Sequence, residues 1–203
     1  MLELRKMNIE DAKAQWEYVT AMPADENGVT NSHEGVSYEE YMDKVLPELL
    51  MHENPVNMPY WFVPETFYYL WDGQVLVGEF RIRHYLTDAL KTGAGHIGYS
   101  IKKEYRGRGY GTKGMALVLD LARKIVPEEE IYLRVLKSNI PSFKVITKKH
   151  LILHGLDAVS YRAKWGLKKG TPLTCKELQR ARRQKMKDMK LWEKRAMARA
   201  IAK

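Results

Sequence analysis

Apolar and polar residues alternate along Leu2-Glu-Leu-Arg-Lys6, and that period of two predicts an opening strand. Asn8 stands where an N-cap precedes a helix over about residues 9–20. Residues 22–35 are rich in Gly, Pro, Asn and Asp and predict a loop. Ser37-Tyr-Glu-Glu40 has the form of a capping box, so a second helix runs from there to about residue 51, with an interruption at Pro47. Residues 52–64 carry three prolines and predict an irregular stretch. Two strands, 65–71 and 74–85, flank Asp72-Gly73, a tight hairpin turn. A connection over 86–95 leads into the main apolar strand, 96–101. A basic, glycine-rich turn follows, then a helix from Lys113 to about Lys124, a strand over 131–136 and a helix over 139–150. Beyond it, Leu151-Ile-Leu153, the turn residue Gly155 and the alternation of Val159, Tyr161, Ala163 and Trp165 with polar neighbours predict a shortened closing hairpin. A second capping box, Thr174-Cys-Lys-Glu177, heads a basic helix over about 175–202. The fold class is α/β.

Charge divides the chain. Residues 168–203 hold 13 Lys or Arg against 3 Asp or Glu, a net of +10, while residues 1–167 are close to neutral at −1. The basicity therefore belongs to the carboxyl-terminal extension, and any argument for nucleic acid applies there alone. These shifts divide the chain into a domain over 1–167 and a basic helical extension over 168–203. Met186, Met189, Trp192, Ala196 and Ala200 recur at helical steps along the extension. That stripe offers a face to dock on the domain or on a second subunit, so a homodimer is among the expected assemblies. A hydrophobic content of 45% suits a globular protein. One cysteine, Cys175, permits no internal disulfide and favours a reducing compartment. The charged first residues lack a secretory apolar core, and no apolar run approaches the ~20 residues of a membrane span. The expectation is a cytoplasmic protein without a membrane partner. Histidine and cysteine do not cluster at metal-ligand spacing, so no metal is expected.

Candidate chemistry concentrates in Tyr105-Arg-Gly-Arg-Gly-Tyr-Gly-Thr112, where the strand passes into the helix. Such a junction presents free backbone N–H groups, the positive end of a helix dipole and two arginines. A side chain at Gly107, Gly109 or Gly111 would hold a phosphate away from the backbone. The spacing is not that of a Walker A loop, because Lys113 follows Thr112 where that motif needs Gly-Lys-Ser/Thr. A literal Gly-x-Gly-x-x-Gly is present at Gly109, Gly111 and Gly114. The charged segment 102–108 parts it from the strand, and the next strand ends in Lys137 rather than an acidic residue.

Arg106, Gly109 and Gly111 match Arg/Gln-x-x-Gly-x-Gly/Ala, and Asn139-Ile-Pro-Ser142 matches Asn-x-x-Ser at the head of a later helix. With both motifs the chain resembles the GNAT superfamily of acyl-CoA-dependent N-acetyltransferases, well over residues 1–150 and loosely over 151–167. The resemblance implies a mixed, mostly antiparallel twisted sheet flanked by helices. It implies an enzyme that moves an acetyl group from acetyl-CoA to an amine of a small molecule or peptide by direct transfer. The pyrophosphate of the cosubstrate would lie on Arg106, Gly107, Arg108, Gly109, Tyr110, Gly111 and Thr112. Backbone groups of Tyr99, Ser100 and Ile101, on a splayed strand, would hold the pantetheine arm, and Asn139 and Ser142 would meet the cosubstrate further along. The family's Glu-Lys-x-Gly-like signature reads Thr147-Lys-Lys-His150 here, and the basic extension is outside the family pattern.

Acyl transfer to an amine also needs a proton acceptor and a proton for the departing thiolate. Many family members carry a tyrosine seven residues after the asparagine; here that position is Ile146, which leaves water to protonate the thiolate. His96 on the main strand is the candidate base, with Glu79 on the preceding strand as the second. Glu79 shares its strand face with Arg81 and Arg83, so a surface ion pair is its competing role. The alternative to an enzyme is a non-catalytic or degenerate binding protein whose basic extension engages nucleic acid or another acidic partner.

Overall fold

Along β5, Phe80 and Ile82 face one way while Glu79, Arg81 and Arg83 face the other, and this alternation sets the architecture. The computed structural model describes residues 1–54, 62–128, 130–136, 138–147, 152–154 and 158–164. In chain order the elements are β1 (Leu2–Lys6), α1 (Ala12–Ala21), β2 (Asp25–Glu26), β3 (Val29–Thr30), α2 (Tyr38–Glu40), a π-helical turn (Tyr41–Val45), α3 (Leu46–Met51), β4 (Glu65–Asp72), β5 (Val75–Arg83), α4 (Asp88–Thr92), β6 (Ile97–Ile101), α5 (Tyr110–Ile125), β7 (Glu130–Leu136), α6 (Ile140–Thr147), β8 (Ile152–His154) and β9 (Ala158–Lys164).

Four strands form an antiparallel sheet in the order β1-β4-β5-β6, and three form a second in the order β7-β9-β8. The closing strands thus form, with β9 between β7 and β8. The two sheets meet where Gly95 bridges Leu133 and the His96 N–H donates to Tyr132 O at 2.6 Å. No further ladder joins β6 to β7 among the described residues, so the strands part on leaving that junction.

One face of the first sheet, with Leu70, Phe80, Ile82, Ile97 and Ile101, packs against Met115, Val118 and Ala122 of α5. Ile131, Leu133 and Val135 of β7 and Ile146 of α6 complete this core. Gly114 lets α5 approach, because a methyl there would overlap the Phe80 ring. The opposite face buries Phe67, Tyr69 and Trp71 under Tyr18 and Val19 of α1 and Tyr41, Val45, Leu46 and Leu49. Each large buried side chain contributes about 1.5–3 kcal/mol relative to exposure.

Several boundaries move for local reasons. Asn8 Oδ1 accepts the Asp11 N–H at 2.7 Å in a turn of its own, so α1 starts three residues later than the pattern predicts. Ser37 Oγ accepts the Glu40 N–H at 3.1 Å, as the capping box requires. Pro47 stands in the first turn of α3, directly after the widened π turn, at whose end Leu46 N–H bonds Tyr41 O. Proline lacks the N–H of an α ladder and crowds the carbonyl four residues back, which the wider turn relieves. The stretch expected as loop, 22–35, holds the β2–β3 hairpin, turned by Asn27 at φ 55° and Gly28 at φ 83°. Thr87 caps α4 within the expected connection. Trp61, the Thr147-Lys-Lys-His150 signature beyond residue 147, Trp165, the domain boundary near 168 and the basic extension lie outside the described residues.

Candidate active site

The chain leaves β6 through a single 3₁₀ turn, Lys103–Tyr105, and turns twice at positive φ before α5 begins. Gly107 has φ 76° and Gly109 φ 84°, and a Cβ at either would meet nothing within 4 Å. These glycines serve backbone geometry and leave open space above the helix terminus. Gly109 caps α5 without a side-chain hydrogen bond, so the first N–H groups of α5 face that space. Gly111 differs: it lies inside the helix, with Val145 and the Tyr99 ring about 3.5 Å from where its Cβ would be. Arg108 sits with its guanidinium 5.6 Å from the Tyr105 ring centre, and Tyr110 donates its hydroxyl to Asp72 at 2.8 Å. Thr112 lies in the first turn of α5. The arrangement fits a polyphosphate by shape and by the sign of its field.

Arg106 is engaged elsewhere. Its Nε donates to Ile101 O at 2.8 Å, and its two terminal nitrogens grip both carboxylate oxygens of Glu26 at 2.7 and 2.5 Å. That fork ties the β2–β3 hairpin to the loop before α5. The hydrogen bond to Arg106 holds the Glu26 carboxyl below its ordinary value despite partial burial. The hairpin tip reaches the other sheet, with Leu136 of β7 3.5 Å from a Cβ placed on Gly28.

On β6 the Lys102 N–H donates to Val77 O at 3.0 Å. Alternation along an antiparallel strand then turns the N–H groups of Ile101 and Tyr99 away from β5, to the side where β7 has parted. The Tyr99 ring stacks on Phe80 at 5.2 Å, and its hydroxyl donates to Ser142 Oγ at 2.9 Å. Asn139 Oδ1 accepts the Ser142 N–H at 3.2 Å and so caps α6. Asn139 and Ser142 therefore hold α6 against β6 by their side chains. Ile146 is 1% exposed in the core and supplies no proton donor.

On the opposite face of the first sheet lies a cleft of about 180 Å³. Tyr18, Glu79, Arg81 and Ser100 form its floor, and Asn31 and His33 of the 22–35 segment stand over it. Tyr18 reaches in from α1 and bonds Ser100 O at 3.0 Å and Ser100 Oγ at 2.7 Å. Burial and the nearby Glu79 charge push its phenol far above the ordinary value. Glu79 pairs in register with Ser100, and Arg81 with Gly98. The Glu79 carboxylate has no hydrogen bond or ion pair among the described residues. Burial raises its pKa, Arg81 pulls it down and Glu65 pushes it up, with a net rise. Glu65 takes the ion-pair role instead, 3.6 Å from Arg83 Nε and 3.4 Å from His52 Nδ1. Burial alone would raise Glu65, but His52, Arg81 and Arg83 outweigh it and hold the carboxyl low.

His96 is placed away from this cleft. It is 1% exposed, its Nδ1 accepts the Tyr132 N–H at 2.8 Å, and its Nε2 faces Glu128 at 3.5 Å. An accepting Nδ1 puts the proton of the neutral ring on Nε2. Burial lowers its pKa, so His96 is a neutral link between β6 and β7 at the point where they join. His84 bonds Thr66 at 2.8 Å and does not line the cleft. The sequence reading missed four residues of the site: Tyr18, Glu26, His33 and Arg81 as a cleft residue. The Asn27-Gly28 dipeptide is a hairpin signal and could have placed Glu26 on a strand end. Tyr18 and His33 carry no local signal, because their roles come from tertiary placement.

The sequence profile described as "Acetyltransferase (GNAT) domain" matches residues 1–151, about three quarters of the chain. A profile described as "ROS/MUCR transcriptional regulator protein" matches residues 122–192; it spans about a third of the chain and starts inside α5, overlapping the first match. No curated protein matches in sequence. Among solved structures, RimL, a ribosomal L7/L12 alpha-N-protein acetyltransferase in complex with coenzyme A, is similar at 17% identity, over 80% of this chain and 93% of that one, with a TM-score of 0.59. The ribosomal-protein-S5-alanine acetyltransferase from Vibrio fischeri matches at 16% identity over 80% and 92%, TM-score 0.57. A chimera of Vibrio cholerae spermidine N-acetyltransferase SpeG and hSSAT matches at 16% over 80% and 95%, TM-score 0.55. Likeness at these identities is likeness of fold. No described helix is long and apolar enough to cross a membrane, and no group of described side chains could hold a metal ion. With the first profile covering residues 1–151, the chain belongs to the GNAT acetyltransferase domain family.

Proposed function

We propose that the protein transfers an acetyl group from acetyl-CoA to an amine held in the cleft beside Glu79. The observation that carries this reading is the register of β5 on β6. It sets a carboxylate with a raised pKa, without an ion pair among the described residues, directly across from Ser100, whose strand has no ladder partner on its far edge among them. Acetyl-CoA, when bound, supplies the acetyl thioester. The open turn at Gly107–Gly109 and the first N–H groups of α5 receive its pyrophosphate, with Arg106 and Arg108 adding charge. The edge N–H groups of Tyr99 and Ile101 are donors for an extended amide chain.

An amine is protonated near neutral pH and cannot attack until it loses a proton. Glu79 takes that proton, directly or through water, and its raised pKa makes it a better acceptor than an ordinary carboxylate. Nitrogen then bonds to the acetyl carbon as the carbon–sulfur bond breaks, the nitrogen gives up its second proton to water to leave the neutral amide, and the thiolate takes a proton from water. Geometry favours Glu79 over His96, which serves the β6–β7 junction. The test is isothermal calorimetry with acetyl-CoA, followed by an amine panel read by free-thiol release. Micromolar binding and Glu79-dependent thiol release are expected. An absence of acetyl-CoA binding refutes the reading.

A further inference from the structure

Among the described residues, Glu79 and Arg81 of the cleft stand without a hydrogen-bonded or ion-paired partner. Glu79 and Arg81 are neighbours on the same face of β5, about 6–7 Å apart at the backbone. Neither makes a hydrogen bond or ion pair among the described residues. The other carboxylates of the cleft are taken: Glu65 by His52 and Arg83, Glu26 by Arg106. Burial holds His33 below its ordinary pKa, so it is neutral at pH 7. Arg81 also has a seat. Its side chain lies over Gly98, and a Cβ there would come within 2.9 Å of its Nε. The missing side chain at Gly98 thus lets the Arg81 side chain cross β6 on the same face as Glu79 and Ser100.

We infer that the acceptor is a zwitterion: a free amino acid, or a small molecule of that kind, with an amine and a carboxylate a few bonds apart. This rests on the function proposed above. The amine goes to Glu79, and Arg81 takes the carboxylate through its two-pronged fork. The carboxylate is unchanged in the reaction. One ammonium proton passes to Glu79, the new carbon–nitrogen bond replaces the carbon–sulfur bond, a second nitrogen proton leaves to solvent to give the amide, and the thiolate is protonated by solvent. A polyamine would bring a second positive charge against Arg81. A peptide N-terminus would offer a neutral amide where Arg81 needs an anion, and a partly buried guanidinium would then go without the charge-assisted bonds a carboxylate supplies.

The experiment compares each of a set of L-amino acids with its carboxamide and its decarboxylated amine, by free-thiol release with acetyl-CoA. The inference expects kcat/KM for the acid to exceed that for the carboxamide by roughly tenfold or more, the effect of one charge-assisted fork. Arg81→Gln should drive the ratio toward one. Gly98→Ala, which keeps the charge but displaces the guanidinium, should lower it too. Calorimetry supplies a reading apart from turnover: the best amino acid, titrated into the protein without acetyl-CoA, should bind at least about tenfold more weakly to Arg81→Gln. The thermal shift with acetyl-CoA should persist in both variants and certifies their folding. A wild-type ratio near one overturns the inference, as does a ratio indifferent to both substitutions, or a polyamine or peptide N-terminus as best acceptor. These outcomes leave the acetyltransferase reading standing. If acetyl-CoA fails to bind, or no amine releases thiol, that reading fails and the zwitterion inference falls with it.

Discussion

Gly109→Ala separates the cost of a turn from the loss of a ligand. Gly109 has φ 84°, and a Cβ there meets nothing within 4 Å, so the substitution brings no overlap, only backbone strain. An L-residue in the left-handed region costs roughly 1–2 kcal/mol, of which restricting the unfolded chain returns about 0.4–1. The net is about 1 kcal/mol, which for a chain of this size lowers Tm by about 2–4 °C. Gly35 is the matched control: φ 70°, nothing within 4 Å, and its N–H bonded to Thr20 O of α1 rather than set at a helix N-terminus. Gly35→Ala should carry the same penalty. Acetyl-CoA at ~100 times its Kd adds about 2.7 kcal/mol to the native state. A methyl on Gly109 stands where a phosphate would approach the helix terminus. If it weakens binding about 100-fold, the same concentration adds only about 0.4 kcal/mol. Thermal melts of the three proteins with and without acetyl-CoA read both quantities. Equal losses without ligand are expected, with the ligand shift kept in Gly35→Ala and nearly abolished in Gly109→Ala. A full shift in Gly109→Ala would refute the phosphate cradle while leaving the strain argument intact.

Three further outcomes are expected. Glu79→Gln should lower kcat by roughly 10²–10⁴-fold. In the wild type, kcat should rise with pH through a carboxyl pKa above the ordinary range; because Arg81 pulls that pKa down, Arg81→Gln should move the limb to higher pH, and pH–rate profiles decide it. Glu26→Gln should tighten acetyl-CoA binding about two- to fivefold by calorimetry, since the exposed fork it removes is worth at most about 1 kcal/mol and competes for Arg106. Weaker binding in that variant would mean that Arg106 acts by holding the hairpin. Burial lowers the pKa of His33, His84 and His96, so the unfolded chain binds more protons just below pH ~6.5. Stability measured by urea unfolding should therefore fall as pH drops through ~6.5, and a flat profile across that window would contradict the burial.

What the sequence showed best was backbone and repetition. The Asp72-Gly73 turn fell between β4 and β5 as read, because a tight hairpin demands a residue at positive φ and Gly73 has φ 59°. The strand–turn–helix at residues 97–125 was legible for the same reason, with Gly107 and Gly109 at left-handed φ. The apolar face of β5 was legible because Phe80 and Ile82 repeat at the period of a strand. Competing local structure escaped the reading: the Asn8–Asp11 turn that delays α1, the two-residue strands around Asn27-Gly28, and the π turn that precedes Pro47. In each, a few side-chain or turn hydrogen bonds outvoted a propensity read over a longer window.

Polar pairing was far less legible, and the candidate base shows why. Sequence proximity put Glu79, Arg81 and Arg83 on one face and so suggested that Glu79 would be neutralised by its neighbours. Cross-strand register decided otherwise. Glu65 lies directly opposite Arg83 and takes it, together with His52, from β4 and the end of α3. Arg81 lies opposite Gly98 on one side and Phe67 on the other, so it turns across the glycine and meets no carboxylate within ion-pair distance among the described residues. Glu79 is left between Tyr69 and Ser100, two residues that cannot neutralise it. The same logic gives His96 a structural partner. The junction of β6 and β7 leaves the Tyr132 N–H in need of an acceptor, and the imidazole is the group that fills it. The His96 Nδ1 is occupied by that backbone donor, whereas the Glu79 carboxylate has no hydrogen bond or ion pair among the described residues. The assignment of the base therefore rests on which residues stand opposite each position in the sheet, information that a strand pattern read along one chain segment does not contain.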